Sequence, residues 1–203
     1  MKYNRHINPM QPISDQNLIL KIQKGSLDAL GSLYDRHRRM VFRTALAITG
    51  DYEAAADLLQ DVFLRLFRFS NRIDANRPLE PWLYRITANQ AYTWVKRHSR
   101  WTQPLDDLAE WLAGSKKQSP QYIVETDEES QQVQRAISTL PWPQRVVIVM
   151  YYINDLPIQE ISHILEIPVG TIKSRLFYGR EALVNHLGLS LDEKLSDLRY
   201  EFT

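Results

Sequence analysis

The chain contains no cysteine among its 203 residues. That absence excludes a disulfide scaffold, a thiol nucleophile and a zinc site built on thiolates, and it fits a reducing compartment. Its five histidines, His6, His37, His98, His163 and His186, are scattered with no paired or HExxH-like spacing, so neither a metal nor another cofactor is predicted. Long apolar runs are missing as well. Nothing approaches the roughly 20 apolar residues of a membrane span, and the opening "MKYNRHINPMQP" lacks the apolar centre of a signal peptide. A cytoplasmic protein without membrane insertion is therefore expected. No Ser or Tyr sits beside the converging acid or basic cluster that catalysis would require, so no catalytic residue and no small-molecule substrate are predicted, and a recombinase-like enzyme is disfavoured.

A large net charge is also lacking. The total is +1, which alone argues against a nucleic-acid partner, yet the charges are segregated along the chain. From Pro81 to Trp101 stand Arg85, Lys96, Arg97 and Arg100 with no acid, a local +4. From Thr102 to Ser130 seven acids (Asp106, Asp107, Glu110, Glu125, Asp127, Glu128, Glu129) face only Lys116 and Lys117, a local −5. A basic segment is thus followed by an acidic one.

Strand patterning is nearly absent. The one β-branched run, Val146 to Val149, continues a 3.6-residue pattern through Met150 and Tyr151. Helices are predicted over Asp15–Lys24, Ser26–Gly50, Asp51–Phe69 and Pro81–Arg100. Asp15, Ser26 and Asp51 suit N-caps, Gly25 and Gly50 suit stops, and Pro81 suits a first turn. Between Thr102 and Thr126 two prolines, a glycine and a Ser/Lys/Gln run break the period, which marks a linker with room for a short helix at "LDDLAEWL". Helical patterning resumes at Asp127–Thr139, Trp142–Tyr152, Ile158–Leu165 and Val169–Leu187, punctuated by "LPWP" and "NDLP". The expected fold is all-α: two small helical domains of four helices each, joined by a flexible linker.

The segment "PIQEISHILEIPVGTIKSRLFYGREAL" carries the most chemistry. A helix of about eight residues, a three-residue break and a longer helix, with apolar residues at Ile158, Ile161, Leu165, Ile167, Ile172 and Leu176, is the pattern of a helix-turn-helix. The second helix of such a pair enters the DNA major groove led by its N-terminal side chains. That accounts for a helix that opens on polar residues. Pro168 and Gly170 let the backbone approach, Thr171 and Ser174 can bond bases or phosphates, and Lys173 and Arg175 offer phosphate charge or guanine contacts.

Two further helices carry outward-facing sets. On Pro81–Arg100, Leu83, Ile86, Ala91 and Val95 form an apolar stripe that leaves Arg85, Asn89, Tyr92, Thr93, Lys96 and Arg100 on the other side. Cations interleaved with rings and an amide suit melted nucleic acid, where bases stack and phosphates meet charge. Trp82, Tyr84 and Trp94 can equally fill a core, and Trp82 is expected to do so. On "AADLLQDVFLRLFRF" the inward stripe is Leu58, Leu59, Val62, Phe63 and Leu66, with Gln60, Asp61, Leu64, Arg65 and Arg68 outward. An apolar Leu64 among charges suggests a protein-binding face.

These three stretches, in this order and with a tether between the second and third, resemble the extracytoplasmic-function class of bacterial sigma factors over roughly residues 12–187. "AADLLQDVFLRLF" resembles that family's clamp-binding segment of region 2, "PWLYRITANQAYTWVKRHSR" its promoter-melting helix, and "LPWPQRVVIVMYY…IQEISHILEIPVGTIKSRL" its region 4. The resemblance implies an N-terminal tail (1–14), region 2 (15–101), an acidic linker (102–126), region 4 (127–187) and a C-terminal extension (188–203). It implies core RNA polymerase and promoter DNA as partners, a dedicated anti-sigma factor as inhibitor, and a linker that threads polymerase channels otherwise used by nucleic acid. Carried over by position, Gln60, Asp61, Leu64 and Arg65 would meet polymerase. Arg85, Asn89, Thr93 and Lys96 would meet the −10 region, and Gly170, Thr171, Lys173, Ser174, Arg175 and Phe177 the −35 region.

The chain departs from the family pattern at three places. Glu166 stands in the helix-turn-helix break where glycine is usual, and at positive φ it would cost about 1 kcal/mol. Ile73-Asp74-Ala75-Asn76 replaces a Phe-Arg-Gly-Asp-like loop, and Tyr178-Gly179 replaces a more basic pair in the reading helix. The tail "LSLDEKLSDLRYEFT" has capping-box spacing from Ser190 to Glu193, and Leu191, Leu195, Leu198 and Phe202 recur at helical intervals, so a short amphipathic helix is expected there. The competing functional class is a self-sufficient helix-turn-helix repressor or activator whose first domain senses a ligand or dimerises.

Overall fold

A computed structural model describes residues 13–98 and 128–187. The linker expected at 102–126, the segment before Ile13 and the amphipathic helix expected at the C-terminus lie outside the described residues. Those residues form helices and turns with no strand among them. The helices are α1 (Asp15–Ile22), α2 (Leu27–Thr49), α3 (Tyr52–Phe69), α4 (Glu80–His98), α5 (Glu128–Thr139), α6 (Trp142–Ile148), α7 (Ile158–Leu165) and α8 (Val169–Leu187).

The polar punctuation of the sequence does what its chemistry allows. The α1 cap is Ser14 and not the expected Asp15, which lies in the first turn; hydroxyl or carboxylate oxygens of Ser14, Ser26 and Asp51 accept from the backbone N–H of Asn17, Ala29 and Ala54, each satisfying a donor that the first turn leaves open. Gly50 ends α2 in the left-handed region (φ 71°), its N–H returning to the Leu46 carbonyl. Helix α4 begins one residue before Pro81, which lies within the first turn, where its missing N–H costs nothing.

The sequence pattern of α6 differs from the observed helix. The expected single helix Trp142–Tyr152 is α-helical only to Ile148 and continues as a π turn, Val149–Ile153. The Asn154 N–H bonds the Val149 carbonyl five residues back, and Asp155 follows at φ 55°. The wider turn rotates Asn154 inward, where it is buried against α2.

Two apolar cores result. Leu18, Ile22, Leu33, Val41, Val62, Phe63, Leu66, Leu79 and Leu83 fill the first, among α1, α2, α3 and α4, with Tyr34 edge-on to Phe63. The second holds Val147, Ile148, Met150, Ile161, Ile164, Ile172 and Leu176 from α6 to α8, and it also takes in Ala45, Ile48, Leu58, Tyr84, Ala88 and Ala91 from α2, α3 and α4. The two helical units therefore share apolar packing and do not merely hang on a tether.

In the helix-turn-helix, the N–H groups of Glu166 and Ile167 both return to the Ser162 carbonyl, and the Ser162 hydroxyl donates to the Ile167 carbonyl at 2.6 Å. Glu166 sits at φ 54°, ψ 42°. A glycine would hold this left-handed position without strain, whereas a Cβ costs about 1–2 kcal/mol there. Gly179, inside α8, has a packing reason: a Cβ on it would lie 2.8 Å from Ile148 Cγ1. The gap left by its missing side chain lets α8 lie close against α6. The atypical loop after α3 is tied down locally. The Asp74 carboxylate accepts from the Asn76 N–H, and the Gln23 amide donates to the Ser70 and Ile73 carbonyls.

Candidate nucleic-acid and polymerase interface

Helix α8 presents the predicted reading set at its exposed N-terminal half. Gly170, Lys173, Ser174 and Phe177 are exposed, while Thr171 and Arg175 are half-buried. Nothing lies within 4 Å of a Cβ built on Gly170, so the glycine is not demanded by internal packing and leaves the backbone open to close approach. The Ser174 hydroxyl donates to the Thr171 carbonyl at 3.0 Å, which holds it along the helix. Phe177 and Tyr178, each 57 % exposed, stand edge to face at 5.4 Å. Two such rings leave apolar area uncovered beside the basic residues of the same helix. Ile172 and Leu176 are fully buried and fix the face that α8 turns outward.

On α4, Arg85, Asn89, Thr93 and Lys96 are all exposed and follow one another at intervals of four, four and three residues, a single stripe. The Thr93 hydroxyl donates to the Asn89 carbonyl. The Lys96 ammonium lies 5.9 Å over the Tyr92 ring, and Tyr92 packs on Trp142 at a tilt of 39° with ring centroids 4.8 Å apart. Trp82 packs against the first core, as expected from its sequence setting. Arg100 lies outside the described residues.

On α3, Gln60, Asp61, Leu64 and Arg65 share an exposed face opposite the buried Leu58, Val62, Phe63 and Leu66. Leu64 is 50 % exposed, an apolar side chain ringed by polar ones. Oriented with its oxygen toward α3, the Gln90 amide accepts from the Arg65 guanidinium and links α3 to α4.

The structure brings together two sets that the sequence kept apart. Glu166, in the helix-turn-helix break, holds Arg85 of the α4 stripe through two oxygens, at 2.5 and 2.7 Å. Other polar contacts across the same seam had no clear sequence signal. The Gln134 amide donates to the Leu46 and Ala47 carbonyls at the end of α2. The Arg145 guanidinium donates to the carbonyls of Ile48, Ser138 and Leu140. The Asn154 amide donates to the Thr44 hydroxyl at 2.8 Å. Burial lowers the Arg145 pKa from its ordinary value because the charged form loses solvent. Burial also raises the Tyr84 pKa, partly opposed by its hydrogen bond with Asn154 and by the charge of Arg43. Arg145 stands after Gln144 at the head of the apolar run Val146 to Met150, a position that gives no local sign that its charge turns inward.

Among the described residues Asp15, His37 and Glu80 bring potential metal-ligating atoms within 4.8 Å of one another. The Arg36 guanidinium already pairs with Asp15, and His37 Nε2 is bonded to the same carboxylate at 2.7 Å. A resident cation and a committed imidazole make this a polar fastening of α1 to α2. It is not a vacant metal cage.

With this geometry established, comparison with known proteins is decisive. Residues 33–101 match the model of Sigma-70 region 2 and residues 130–183 that of Sigma-70 region 4. The ECF RNA polymerase sigma factor SigW of Bacillus subtilis (strain 168) is 32 % identical over 180 residues, covering 83 % of this chain and 94 % of the relative. The chain belongs to the ECF sigma factors of the sigma-70 family. SigM of the same organism is 31 % identical over 76 % of this sigma factor and 92 % of its own length. The sigma-E factor of Escherichia coli (strain K12) is 29 % identical over 86 % and 95 % respectively. The fold of this sigma factor is shared with CnrH, solved in complex with the cytosolic domain of CnrY, at a TM-score of 0.63 and 21 % identity over 86 % of this chain and 97 % of CnrH. It is shared also with RpoE of Bartonella quintana, solved with the anti-sigma factor NepR, at a TM-score of 0.57 and 19 % identity over 75 % and 92 %. Among the described residues of this sigma factor no helix is long and apolar enough to cross a membrane.

Proposed function

We propose that this sigma factor docks on core RNA polymerase through the α3 face, reads the −35 element with α8 and holds the melted −10 strand on α4. The observation that carries the reading is the separation of three exposed sets onto three helices, each with a buried stripe opposite it, in a chain of this family. In this reading Gln60, Asp61, Leu64 and Arg65 meet polymerase. Lys173 and Arg175 reach phosphates or guanine edges in the major groove, Thr171 and Ser174 add hydroxyl contacts, and the open backbone at Gly170 permits close approach. Phe177 would lie against the apolar parts of the groove. On α4, Arg85 and Lys96 meet phosphates, while Asn89 and Thr93 meet exposed base edges beside the Tyr92 ring.

The factor has no reaction of its own in this scheme. Binding free energy drives melting, since unpaired bases held on α4 offset the lost stacking, a few kcal/mol per extruded base. The acidic linker would run through polymerase channels that otherwise carry nucleic acid, and the site of action would be cytoplasmic. An anti-sigma partner is expected, as the fold is one that RpoE of Bartonella quintana presents to NepR. The self-sufficient repressor or activator is not favoured, because the family match spans both helical units and the sequence order of all three sets.

Run-off transcription with core polymerase on a promoter library tests the reading, and promoter-specific initiation is the expected result. Lys173→Ala or Arg175→Ala should weaken −35 engagement by about 1–3 kcal/mol if the residue reads a base. Asn89→Ala should spare the closed complex and impair opening, read by permanganate reactivity of −10 thymines. Sub-micromolar specific duplex binding by the isolated chain at physiological salt, or equal defects at both steps from all three variants, would overturn it.

A further inference from the structure

Two aromatic rings on α8 take no part in the core. Ile172, Leu176 and Gly179 are buried, whereas Phe177 and Tyr178 stand outward side by side, each 57 % exposed and edge to face at 5.4 Å. A segment with an apolar face would gain by covering them. The chain that follows α8 has such a face. Gly188 stands directly after Leu187, the last residue of α8, at a place where glycine favours a helix stop. Ser190 and Glu193 then have capping-box spacing, so only Gly188 and Leu189 separate α8 from the N-cap of a second helix. Two helices joined by so short a loop form an antiparallel hairpin. Leu191, Leu195, Leu198 and Phe202 follow at intervals of four, three and four, which places them on one narrow stripe.

Length and charge fit the same pairing. A helix runs about 17 Å from Leu191 to Phe202, and α8 runs about 15 Å from Leu187 back to Phe177, at the rise of an α-helix. The stripe thus comes level with the two rings. Asp192, Glu193, Asp197 and Glu201 against Lys194 and Arg199 give residues 190–203 a net −2, while Lys173, Arg175 and Arg180 against Glu181 give α8 a net +2. Opposite charge favours the contact. We propose that residues 190–202 fold back along α8 as an amphipathic helix, seat Leu195, Leu198 and Phe202 on Phe177 and Tyr178, and so cover the outer face of α8 in the free chain. That this is the face reading the −35 element rests on the function proposed above; the docking itself does not. Segment and duplex then compete for one surface, since the cations that would meet phosphates lie beside the carboxylates of the segment. The much denser charge of a duplex can displace it.

The full chain has no native cysteine, so Tyr200→Cys, which lies opposite the stripe on the helical wheel, carries a single nitroxide. Its broadening of α8 amide signals is read by NMR, with and without the paired substitutions Leu195→Asp and Leu198→Asp. Broadening from Lys173 to Tyr178 that the aspartates abolish is expected. No broadening there, or equal broadening with the aspartates present, overturns the docking. A mixture of nitroxide-bearing chains with isotope-labelled chains that lack the cysteine distinguishes a second copy from the chain's own segment. Broadening in that mixture as strong as within one chain overturns the intramolecular fold-back. Affinity for a fluorescein-labelled mixed-sequence duplex, measured by anisotropy on the same full-length proteins, should rise about fivefold with the paired aspartates, as when only one free molecule in five leaves the face open. Two added carboxylates by themselves weaken binding to DNA, so a rise reports uncovering. Unchanged or weaker duplex binding once the broadening is lost overturns the competition. Lys173→Ala in run-off transcription tests the −35 reading, which can fail while the docking stands.

Discussion

Removing the Arg145 guanidinium should loosen the joint between the two helical units. The side chain is only 9 % exposed, and its donors serve the carbonyl of Ile48 at the end of α2 and those of Ser138 and Leu140 at the end of α5. Arg145→Met keeps most of the volume and removes every donor, leaving three carbonyls that no helix can satisfy. Each hydrogen bond to a charged group is worth about 1.5–3 kcal/mol. A simple sum overstates the loss, because the wild-type protein also carries the cost of burying a cation, a cost visible in the lowered Arg145 pKa. A buried carbonyl left without its donor costs about 1–3 kcal/mol, and the desolvation relieved by removing the cation brings the net expectation to about 2–4 kcal/mol. With a urea m-value of about 2 kcal/mol per molar, the midpoint should fall by about 1–2 M. Circular dichroism and tryptophan fluorescence should follow the same transition in wild type and separate in the variant, as Trp142 sits beside the seam. Arg145→Lys should recover only part of the loss, since an ammonium cannot fork between two helix ends. A midpoint within about 0.3 M of wild type for Arg145→Met, well under the fall worked from its hydrogen bonds, would show that the guanidinium does not hold the units together.

Gly179→Ala sets helix propensity, a gain of about 1 kcal/mol, against a methyl group 2.8 Å from Ile148 Cγ1. Overpacking of about 1–3 kcal/mol should win and lower the thermal midpoint, and a more stable variant would refute the close approach of α8 and α6. Tyr84 should be among the last tyrosines to ionise, because burial raises its pKa above the ordinary 10.0. The folded state favours the neutral phenol, so this contribution is intact below pH 10 and is lost as pH climbs through the raised value. Alkaline ultraviolet titration with parallel unfolding curves checks it, and Tyr84→Phe should flatten that decline. Leu64→Ala should leave stability within about 0.5 kcal/mol yet weaken core polymerase binding fivefold or more, measured by competition against wild type. Unchanged affinity would remove α3 from the polymerase face.

The sequence alone determined what depends on local chemistry and short-range periodicity. Ser26 and Asp51 cap helices because their side chains reach N–H groups three residues on, and the four-residue spacing of Leu58, Val62 and Leu66 or of Ile172 and Leu176 fixes which face turns inward. From that follow the outward sets on α3, α4 and α8 and the likeness to sigma factors. The resemblance, which puts glycine at this point of the helix-turn-helix break, raised a positive φ for Glu166 only as a condition, and the structure places it at φ 54°. What tertiary structure decided depends on residues far apart in the chain. No local pattern says that Glu166 meets Arg85, that Asn154 reaches Thr44, or that Arg145 closes the end of α2. The π turn after Ile148 is of the same kind, since its wider pitch matters only through the side chain it delivers to another helix. Gly179 read from sequence as a missing charge in the reading helix, and only the nearness of Ile148 makes it a place where no side chain fits. Helix formation answers to neighbours one turn away. The seam between the units answers to partners up to 110 residues apart, and their meeting is fixed by the packing of the whole molecule.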